Sequence, residues 1–541
     1  MLRLTTTWAA RLANQGNLEQ AVEAFREAIG IKPTLADAHG NLGSALSCQG
    51  KVADAIKEWR EAIRLKPDYA EAYYNLGTEL SKQDSLDEGI KALREAVRIN
   101  PDYAKAYNNL GNALAKQGKL DQAIEAFREA IRIKPDYAET HSNLGLALER
   151  HGQLDEAIKE WYQAIRINPD DPETHFSLGN ALKDQGRLQD AVNEWRETIR
   201  IKPNYVEAYN NLGVALADQD SLDEAIEVFR GAVRIDPDYA EAHNNLAASL
   251  KDQGKLADAI TEYREALRIK PDFAEAHKNL ANALADSGEL DEAIRTYREA
   301  IRIKDGYAAA HFNLGVLFRK QGRLAEAIEE YQKAIHIDTA YAEAYNNLGN
   351  TLADQGDYEV AIKQLRRAIR MKPDYAKAHN NLGCALAKQG NLEEAIKEYR
   401  EAIRIEPDLA EAHKNLGVAF GDQRKLDEAI EEYHEAIRIK PDYAEAHKEL
   451  AHAFAERGQL DDAIQELSKA VRIDPSDATT RNSLGIALGK KGKLGEAIKE
   501  FCQALRINPD LVAARRNLEK TLKMQGKSDE EIKEYIESIC R

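Results

Sequence analysis

Histidine is the residue type whose spacing in this sequence most suggests chemistry. Nine of the thirteen histidines recur with one regular period: His39, His141, His175, His243, His277, His311, His379, His413 and His447. Regularly placed imidazoles could bind metal ions or carry protons. Other copies of this position hold a tyrosine, such as Tyr73 or Tyr107. Equivalent atoms of neighbouring copies would also lie about 10 Å apart, too far for one metal ion. We therefore predict a structural ring at a helix seam, with no metal and no cofactor.

The other reactive residue types do not form a recognisable catalytic set. The four cysteines, Cys48, Cys384, Cys502 and Cys540, lie far apart without C-x-x-C spacing. This spacing fits a reducing compartment and neither a disulfide framework nor a zinc site. Gly526-Lys527-Ser528 lacks the upstream glycine of a phosphate-binding loop. Since no nucleophile, base and orienting group can be placed together, we predict no catalytic residues and no enzymatic activity for this chain.

These residues are carried by a 34-residue unit that is repeated along the whole chain. With Ala104 as position 1 of one copy, the copies begin at Leu2, Ala36, Ala70, Ala104, Ala138, Pro172, Val206, Ala240, Ala274, Ala308, Ala342, Ala376, Ala410, Ala444, Ala478 and Val512. Positions 4, 7, 8 and 11 form one apolar face, which predicts a first helix. A glycine at position 15 ends it. A second apolar stripe, ended by proline at position 32, predicts a second helix.

Such helix pairs are too short to be stable alone, so they must stack on their neighbours. The sequence therefore predicts an all-α solenoid of 34-residue helix-turn-helix repeats. Residues 2–511 are predicted to form fifteen in-phase repeats. Residues 512–541 form a truncated sixteenth copy, with Glu519 and Glu531 where small packing residues belong. A charged residue is tolerated there if nothing packs beyond it, so we expect this copy to act as a C-terminal cap.

The repeat pattern resembles the tetratricopeptide repeat. Its features are an aromatic or His at position 4, Leu at 7, Gly or Ala at 8, Ala at 20, an aromatic at 24, Ala at 27 and Pro at 32. The resemblance covers essentially the whole chain. It implies a right-handed superhelix of helical hairpins, with the first helices on the concave side and the second helices on the convex side.

Position 6 is asparagine in twelve of the sixteen copies: Asn41, Asn75, Asn109, Asn143, Asn211, Asn245, Asn279, Asn313, Asn347, Asn381, Asn415 and Asn517. Positions 2, 6, 9 and 13 lie opposite the apolar face. Asparagine is a mediocre helix former, whereas its amide can pair with both groups of a peptide backbone. We therefore predict that the row from Asn41 to Asn415 binds extended peptides. The row resembles the asparagine ladder of O-linked N-acetylglucosamine transferase, which grips substrate polypeptide. Alternatively, position 6 bonds to the neighbouring repeat and was multiplied by duplication.

Less uniform positions of the same surface are expected to select the ligand. Position 13 is acidic in four consecutive copies, at Asp184, Asp218, Asp252 and Asp286. Position 2 is glutamate in the same copies, at Glu173, Glu207, Glu241 and Glu275. Two acidic rows predict a preference for basic peptides. The alternative for position 2 is a capping box with the aspartate at position 33, as in Asp68 with Glu71. Aromatic residues at position 5, Tyr74, Phe176 and Phe312, are expected to anchor apolar side chains.

The overall charge argues against nucleic acid as the partner. The chain has 75 basic and 92 acidic residues, a net charge of −17, and the signs alternate within every repeat. No apolar run approaches a membrane span. We therefore expect a cytoplasmic, non-catalytic scaffold that binds proteins or extended peptides. The alternative is the substrate-recognition region of a glycosyltransferase similar to O-linked N-acetylglucosamine transferase, with its catalytic domain absent from this chain. A third interpretation is a consensus-like engineered array.

Overall fold

The computed structural model describes residues 17–83 and 85–540, and side chains to residue 536. All secondary structure in these residues is α-helical, in thirty-one helices. The first helix of the first predicted repeat lies outside the described residues. We call the first helix of a repeat its A helix and the second its B helix. The chain divides into two compact units at Pro271 and Asp272, although the sequence period continues through this point.

The first unit contains fifteen described helices, which begin with the B helix of the first repeat. They are α1 (Leu18–Ile31), α2 (Ala36–Cys48), α3 (Val52–Leu65), α4 (Ala70–Lys82), α5 (Leu86–Ile99), α6 (Ala104–Lys116), α7 (Leu120–Ile133), α8 (Ala138–Arg150), α9 (Leu154–Ile167), α10 (Pro172–Asp184), α11 (Leu188–Ile201), α12 (Val206–Asp218), α13 (Leu222–Ile235), α14 (Ala240–Asp252) and α15 (Leu256–Ile269).

The second unit contains sixteen described helices, which begin with the A helix of the ninth repeat. They are α16 (Ala274–Ser287), α17 (Leu290–Ile303), α18 (Ala308–Lys320), α19 (Leu324–Ile337), α20 (Ala342–Asp354), α21 (Tyr358–Met371), α22 (Ala376–Gln389), α23 (Leu392–Ile405), α24 (Ala410–Asp422), α25 (Leu426–Ile439), α26 (Ala444–Glu456), α27 (Leu460–Ile473), α28 (Ala478–Lys490), α29 (Leu494–Ile507), α30 (Val512–Met524) and α31 (Asp529–Cys540).

Within each unit the helices pack in chain order. Each B helix packs on the A helix of its own repeat and on the A helix of the next. Successive A helices also contact each other more extensively than successive B helices, except for α29 and α31 at the C-terminal end. The A helices of one unit therefore present a continuous surface. We call the side formed by positions 2, 5, 6, 9 and 13 the A-helix surface.

The core of a repeat depends on small residues that face aromatic rings. In the fourth repeat, a Cβ built on Gly111 at position 8 would lie 2.5 Å from the Phe127 ring at position 24. Ala123 and Ala130 on the B helix are fully buried between neighbouring helices. Any larger side chain at these positions would separate the two helices, because interiors are packed without spare volume. This explains why positions 8, 20 and 27 hold small residues.

The predicted capping box at the start of the A helices is not observed. The N-cap is the residue at position 34, for example Tyr103 or Tyr137, and its side chain makes no capping hydrogen bond. The aspartate at position 33 lies one residue too early in the chain to act as the N-cap. Among the A helices, side-chain capping is found at Asp477, and among the B helices at Asn391 and at Ser528, which forms a capping box with Glu531. The glutamates at position 2 therefore have other partners.

Candidate peptide-binding surface

Five of the six position-6 asparagines of the first unit hydrogen-bond to the A helix of the preceding repeat. In each case the side-chain amide donates to a side chain at position 5 or 9. The pairs are Asn75 to Ser44 Oγ at 3.3 Å, Asn109 to Thr78 Oγ1 at 2.9 Å, Asn143 to Asn108 Oδ1 at 3.1 Å, Asn211 to Asn180 Oδ1 at 2.9 Å, and Asn245 to Asn210 Oδ1 at 2.9 Å. The bonds link neighbouring repeats along the A-helix surface.

The second unit repeats the arrangement. The pairs are Asn313 to Asn282 Oδ1 at 3.1 Å, Asn381 to Asn346 Oδ1, Asn415 to Asn380 Oδ1 and Asn517 to Asn482 Oδ1, the last three at 2.9 Å. Asn347 Oδ1 accepts from Asn346 in its own repeat, at 3.2 Å. The inter-repeat bonding that the sequence offered as an alternative is therefore present in both units.

These bonds leave part of each amide available. An asparagine side chain has two N–H donors and an oxygen with two lone pairs. All twelve position-6 asparagines, including Asn41 and Asn279, are partly exposed. In the nine asparagines that donate to the preceding repeat, this bond sets the orientation of the amide before any ligand arrives. The surface thus offers preoriented polar groups at intervals of one repeat.

The two acidic rows differ in how strongly they are neutralised. The position-13 carboxylates Asp184, Asp218 and Asp252 in the first unit, and Asp286 in the second, are exposed. At position 2, Glu173 pairs with Lys202 at 3.0 Å and Glu241 with Lys270 at 2.9 Å. Burial opposes ionisation of both carboxyls, but their lysines outweigh it and lower the pKa of Glu173 and of Glu241. Since these lysines lie in the same repeats, position 2 adds less negative potential than its composition suggests.

The position-5 aromatics are not isolated anchors. Each stacks, tilted, on the aromatic residue at position 34 of its own repeat, and each is partly buried. The ring centroids lie 4.9 Å apart for Tyr74 and Tyr103, 4.8 Å for Phe176 and Tyr205, and 5.0 Å for Phe312 and Tyr341. Such pairs are stabilising contacts between an A helix and the turn before the next one. Their exposed edges remain available to a ligand.

The position-4 histidines have defined structural partners. In the fifth repeat His141 Nδ1 lies 2.6 Å from Glu160 Oε2, and Nε2 lies 3.0 Å from the carbonyl oxygen of Pro135. The same glutamate contact is found at His39, His175, His243, His311, His379, His413 and His447. Each imidazole therefore ties its A helix to the B helix of the same repeat, and in most of these repeats also to the preceding turn.

The glutamate raises the pKa of several of these histidines. The hydrogen bond to the glutamate is the main cause for His141, His243 and His413. For His175 and His379 burial is the largest effect and lowers the pKa, but the contacts with glutamate and with the proline carbonyl outweigh it. No group of three His, Cys, Asp or Glu residues in the described part of the chain could hold a metal ion.

The sequence itself contains a signal for this histidine–glutamate pair. Position 23 is Glu where position 4 is His, except beside His277, where it is Thr296. It is Ala92, Ala126, Val228 or Gln364 where position 4 is Tyr. Comparing copies within one chain would have identified the pair.

The thiols of Cys384 and Cys502 are poorly suited to nucleophilic chemistry. Cys384, at position 9, lies 3.2 Å from Asn415 Nδ2. Burial raises its pKa, and burial also raises the pKa of Cys502. A thiol with a raised pKa is mostly protonated near neutral pH and is a weak nucleophile.

Comparison with protein families identifies the repeat. The model described as "TPR repeat" matches residues 11–47, 48–84, 77–118, 111–152, 150–186, 249–288 and 281–322. The model described as "Tetratricopeptide repeat" matches residues 176–240, and that of the "Cilia and flagella-associated protein 70 C-terminal domain" matches residues 307–527. The chain therefore belongs to the tetratricopeptide repeat proteins. No protein of curated function matches it.

The chain is also similar to several solved structures. The APC/C hetero-tetramer Cut9–Hcn1 matches with 17% identity over 96% of both chains and a TM-score of 0.41. Yeast Tom70 matches with 17% identity over 79% of this chain and 96% of that one, with a TM-score of 0.39. YrrB, described as a TPR protein with an unusual peptide-binding site, matches with 26% identity over 34% of this chain and 95% of that one, with a TM-score of 0.29. None of the described helices is long and apolar enough to cross a membrane.

Proposed function

We propose that this chain is a non-catalytic scaffold that binds extended polypeptide segments along its A-helix surface. The observation that carries the proposal is the row of partly exposed position-6 amides, nine of which are oriented by a hydrogen bond to the preceding repeat. An extended peptide presents N–H and C=O groups along its length, and an amide can pair with either. Such main-chain bonds provide affinity without fixing the sequence of the ligand.

The exposed aspartates at position 13 support a preference for basic ligands within the proposal. Asp184, Asp218 and Asp252 lie one repeat apart in the first unit. Rows of one charge accelerate association with ligands of the opposite charge and disfavour like-charged ones. The proposal therefore assigns lysine- or arginine-containing segments as ligands, in a cytoplasmic and reducing environment.

The test must separate the groove amides from the inter-repeat bonds that they make. In the test variant Asn143 and Asn245 are both replaced by alanine. In the matched control Asn108 and Asn210, which accept the bonds from Asn143 and Asn245, are replaced by alanine. Both variants lose the same two hydrogen bonds between repeats. The control also loses the bonds of Asn108 with Asn109, Glu139 and Thr140, so it perturbs the contact between repeats more than the test variant does. Only the test variant loses the position-6 amides.

The probe is a phage-displayed library of random linear peptides, selected on the natural chain. The selected peptides are expected to bind the test variant about tenfold or more weakly, since a net hydrogen bond contributes about 1 kcal/mol. Binding to the control variant should remain close to that of the natural chain. Equal affinity for both variants, or selection of no peptide, would contradict the proposal.

A further inference from the structure

The asparagine row is interrupted in the second unit, where position 6 is Glu449 in the fourteenth repeat and Ser483 in the fifteenth. A cavity of about 480 Å³ lies at this interruption. It is lined by side chains of the thirteenth to fifteenth repeats, including Val418, Tyr433 and Ile486 besides Glu449 and Ser483. Its volume is within the range of ligand-binding pockets.

Three carboxylates line the cavity. Asp422 and Glu456, both at position 13, line it together with Glu449. Lys490 also lines it and makes no ion pair with any described residue. His452 contacts two of the lining residues, with Nδ1 3.6 Å from Glu449 Oε2 and Nε2 3.4 Å from Ser483 Oγ. The lining thus carries three carboxylates, one lysine and the histidine His452, an excess of acidic groups.

Tyr433 places a polar group in the otherwise apolar part of the cavity wall. The tyrosine is 3% exposed and lines the cavity, yet its hydroxyl makes no hydrogen bond to any described residue. The equivalent tyrosine of the ninth repeat, Tyr297, donates to Asn282 at position 9. In the thirteenth repeat position 9 is Val418, which has no polar atom. The Tyr433 hydroxyl therefore keeps its hydrogen-bonding capacity for a ligand in the cavity.

The remaining walls are apolar. Leu426, Leu460, Leu467 and Ile486 line the cavity beside Val418. Gly421 keeps the space around the tyrosine open, because a Cβ built on it would lie 3.8 Å from the Tyr433 hydroxyl oxygen. Long cationic side chains bury an aliphatic stem along such surface while their charged ends reach polar groups. Apolar walls, a hydroxyl and carboxylates are what a lysine or arginine side chain requires.

We infer that this cavity binds a lysine or arginine side chain of a polypeptide lying on the A-helix surface, with the cation at Glu449 and its stem against Val418 and Ile486. The inference deepens the proposed function, on which it rests, by assigning one basic residue of the ligand to one pocket. The asparagines on either side of the interruption, Asn415 and Asn517, would hold the backbone.

The experiment uses the full chain and a probe that does not depend on peptide binding. The probe is lysine capped by N-acetyl and N-methylamide groups, with capped arginine in parallel and capped norleucine as the neutral analogue. Binding is read from the δ1-methyl resonance of Ile486, assigned by an Ile486→Leu variant, so that cations bound elsewhere on the acidic chain are not counted. Capped lysine or arginine is expected to bind about tenfold or more tightly than capped norleucine, because a hydrogen bond to a charged group contributes enough binding free energy for a tenfold change in affinity.

Two variants use residues that the chain itself accepts at these positions. Glu449→Asn restores the commonest position-6 residue and should abolish the preference for the cation. Tyr433→Phe matches Phe127 and Phe229 at position 24, and it should weaken cation binding several-fold without lowering stability. The control Glu428→Gln, on the B helix of the thirteenth repeat and outside the cavity, removes one carboxylate and should change nothing.

Two results would overturn the inference: equal shifts with capped norleucine, or cation binding that survives Glu449→Asn. Its failure is distinguishable from that of the proposed function. Selected peptides that bind through Asn143 and Asn245 while the cavity ignores capped lysine and arginine refute only the inference. A cavity that binds the cation in a chain that selects no peptide refutes the peptide scaffold and leaves, of the inference, only a cation site at Glu449.

Discussion

Position 15 of the repeat requires a left-handed backbone, and two described copies meet this requirement without glycine. Gly118 has a φ of 81°, and the other glycines at this position have similar positive φ values. Asp220 has a φ of 59° and Arg424 a φ of 62°. A side chain with a Cβ is strained in this conformation, and aspartate tolerates it better than arginine. These two residues therefore carry local strain that the other described copies avoid.

Replacing Arg424 with glycine should stabilise the hairpin formed by α24 and α25. The expected gain is about 1 kcal/mol in the free energy of local opening, since the left-handed conformation costs a non-glycine residue roughly that much. Native-state hydrogen exchange of the two helices measures it. Asp220→Gly serves as the comparison and should give a smaller gain. If hydrogen exchange is no slower in either glycine variant than in the natural chain, the strain argument is wrong.

Position 8 should not accept a larger side chain where it faces an aromatic ring. Gly111→Val is expected to lower the free energy of unfolding by about 1–3 kcal/mol, because its Cβ would overlap the Phe127 ring. Denaturant unfolding measures the loss. The control is Gly30→Val, where a Cβ meets no atom within 4 Å. Equal effects at the two sites would show that helix propensity, not packing, restricts position 8.

At the scale of the helix pair, the histidine and glutamate form an interchangeable module. A repeat uses either His at position 4 with Glu at 23, as in His141 and Glu160, or Tyr with a small or uncharged residue, as in Tyr107 and Ala126. The first version joins the two helices by a polar contact and the second by packing. Mixing the versions would leave a buried polar group without its partner.

A double-mutant cycle tests this module. Glu160→Ala alone is expected to destabilise the chain by about 1–3 kcal/mol, because the buried imidazole of His141 loses a charged partner. Adding His141→Tyr recreates the natural combination of Tyr107 with Ala126, so the double variant should recover most of the loss. Unfolding of the natural chain and three variants in denaturant gives the coupling. Additive effects would show that the two positions are independent.

At the scale of the whole chain, the histidines predict how stability depends on pH. The pKa of His141, His175, His243, His379 and His413 is raised in the folded state above the ordinary value of 6.5. The folded state therefore binds protons more tightly than the unfolded state. The resulting stabilisation is complete below pH 6.5 and is lost as the pH rises through the folded pKa values.

The denaturation midpoint is accordingly expected to fall as the pH rises from about 6 to 8. Each site contributes a small amount, and the contributions of separate repeats add. The control chain carries Tyr and Ala at the five pairs and should show a weaker dependence over the same range. A midpoint that rises with pH, or an unchanged slope in the control chain, would contradict the assignment.

The sequence alone determined the helices, because their signals are local. Glycine at position 15 and the apolar positions specify where helices end and which face is buried, and the observed bounds recur with the same period as the sequence. The family followed from the same pattern. The capping box predicted for the A helices was wrong because the N-cap is the residue at position 34, one residue after the aspartate. A pattern of residue types does not place a helix start to within one residue.

The tertiary structure decided the partners of the exposed residues. The sequence identified the asparagine row, but only the packing of adjacent A helices shows that Asn143 bonds to Asn108 one repeat earlier. The packing also shows the ion pair between Glu173 and Lys202. It further shows the cavity at the repeat in which Glu449 occupies the position of the asparagine. A periodic pattern specifies which face of a helix a residue occupies. Its partner lies about one repeat away along the chain, at a distance set by how closely the small residues allow the helices to pack.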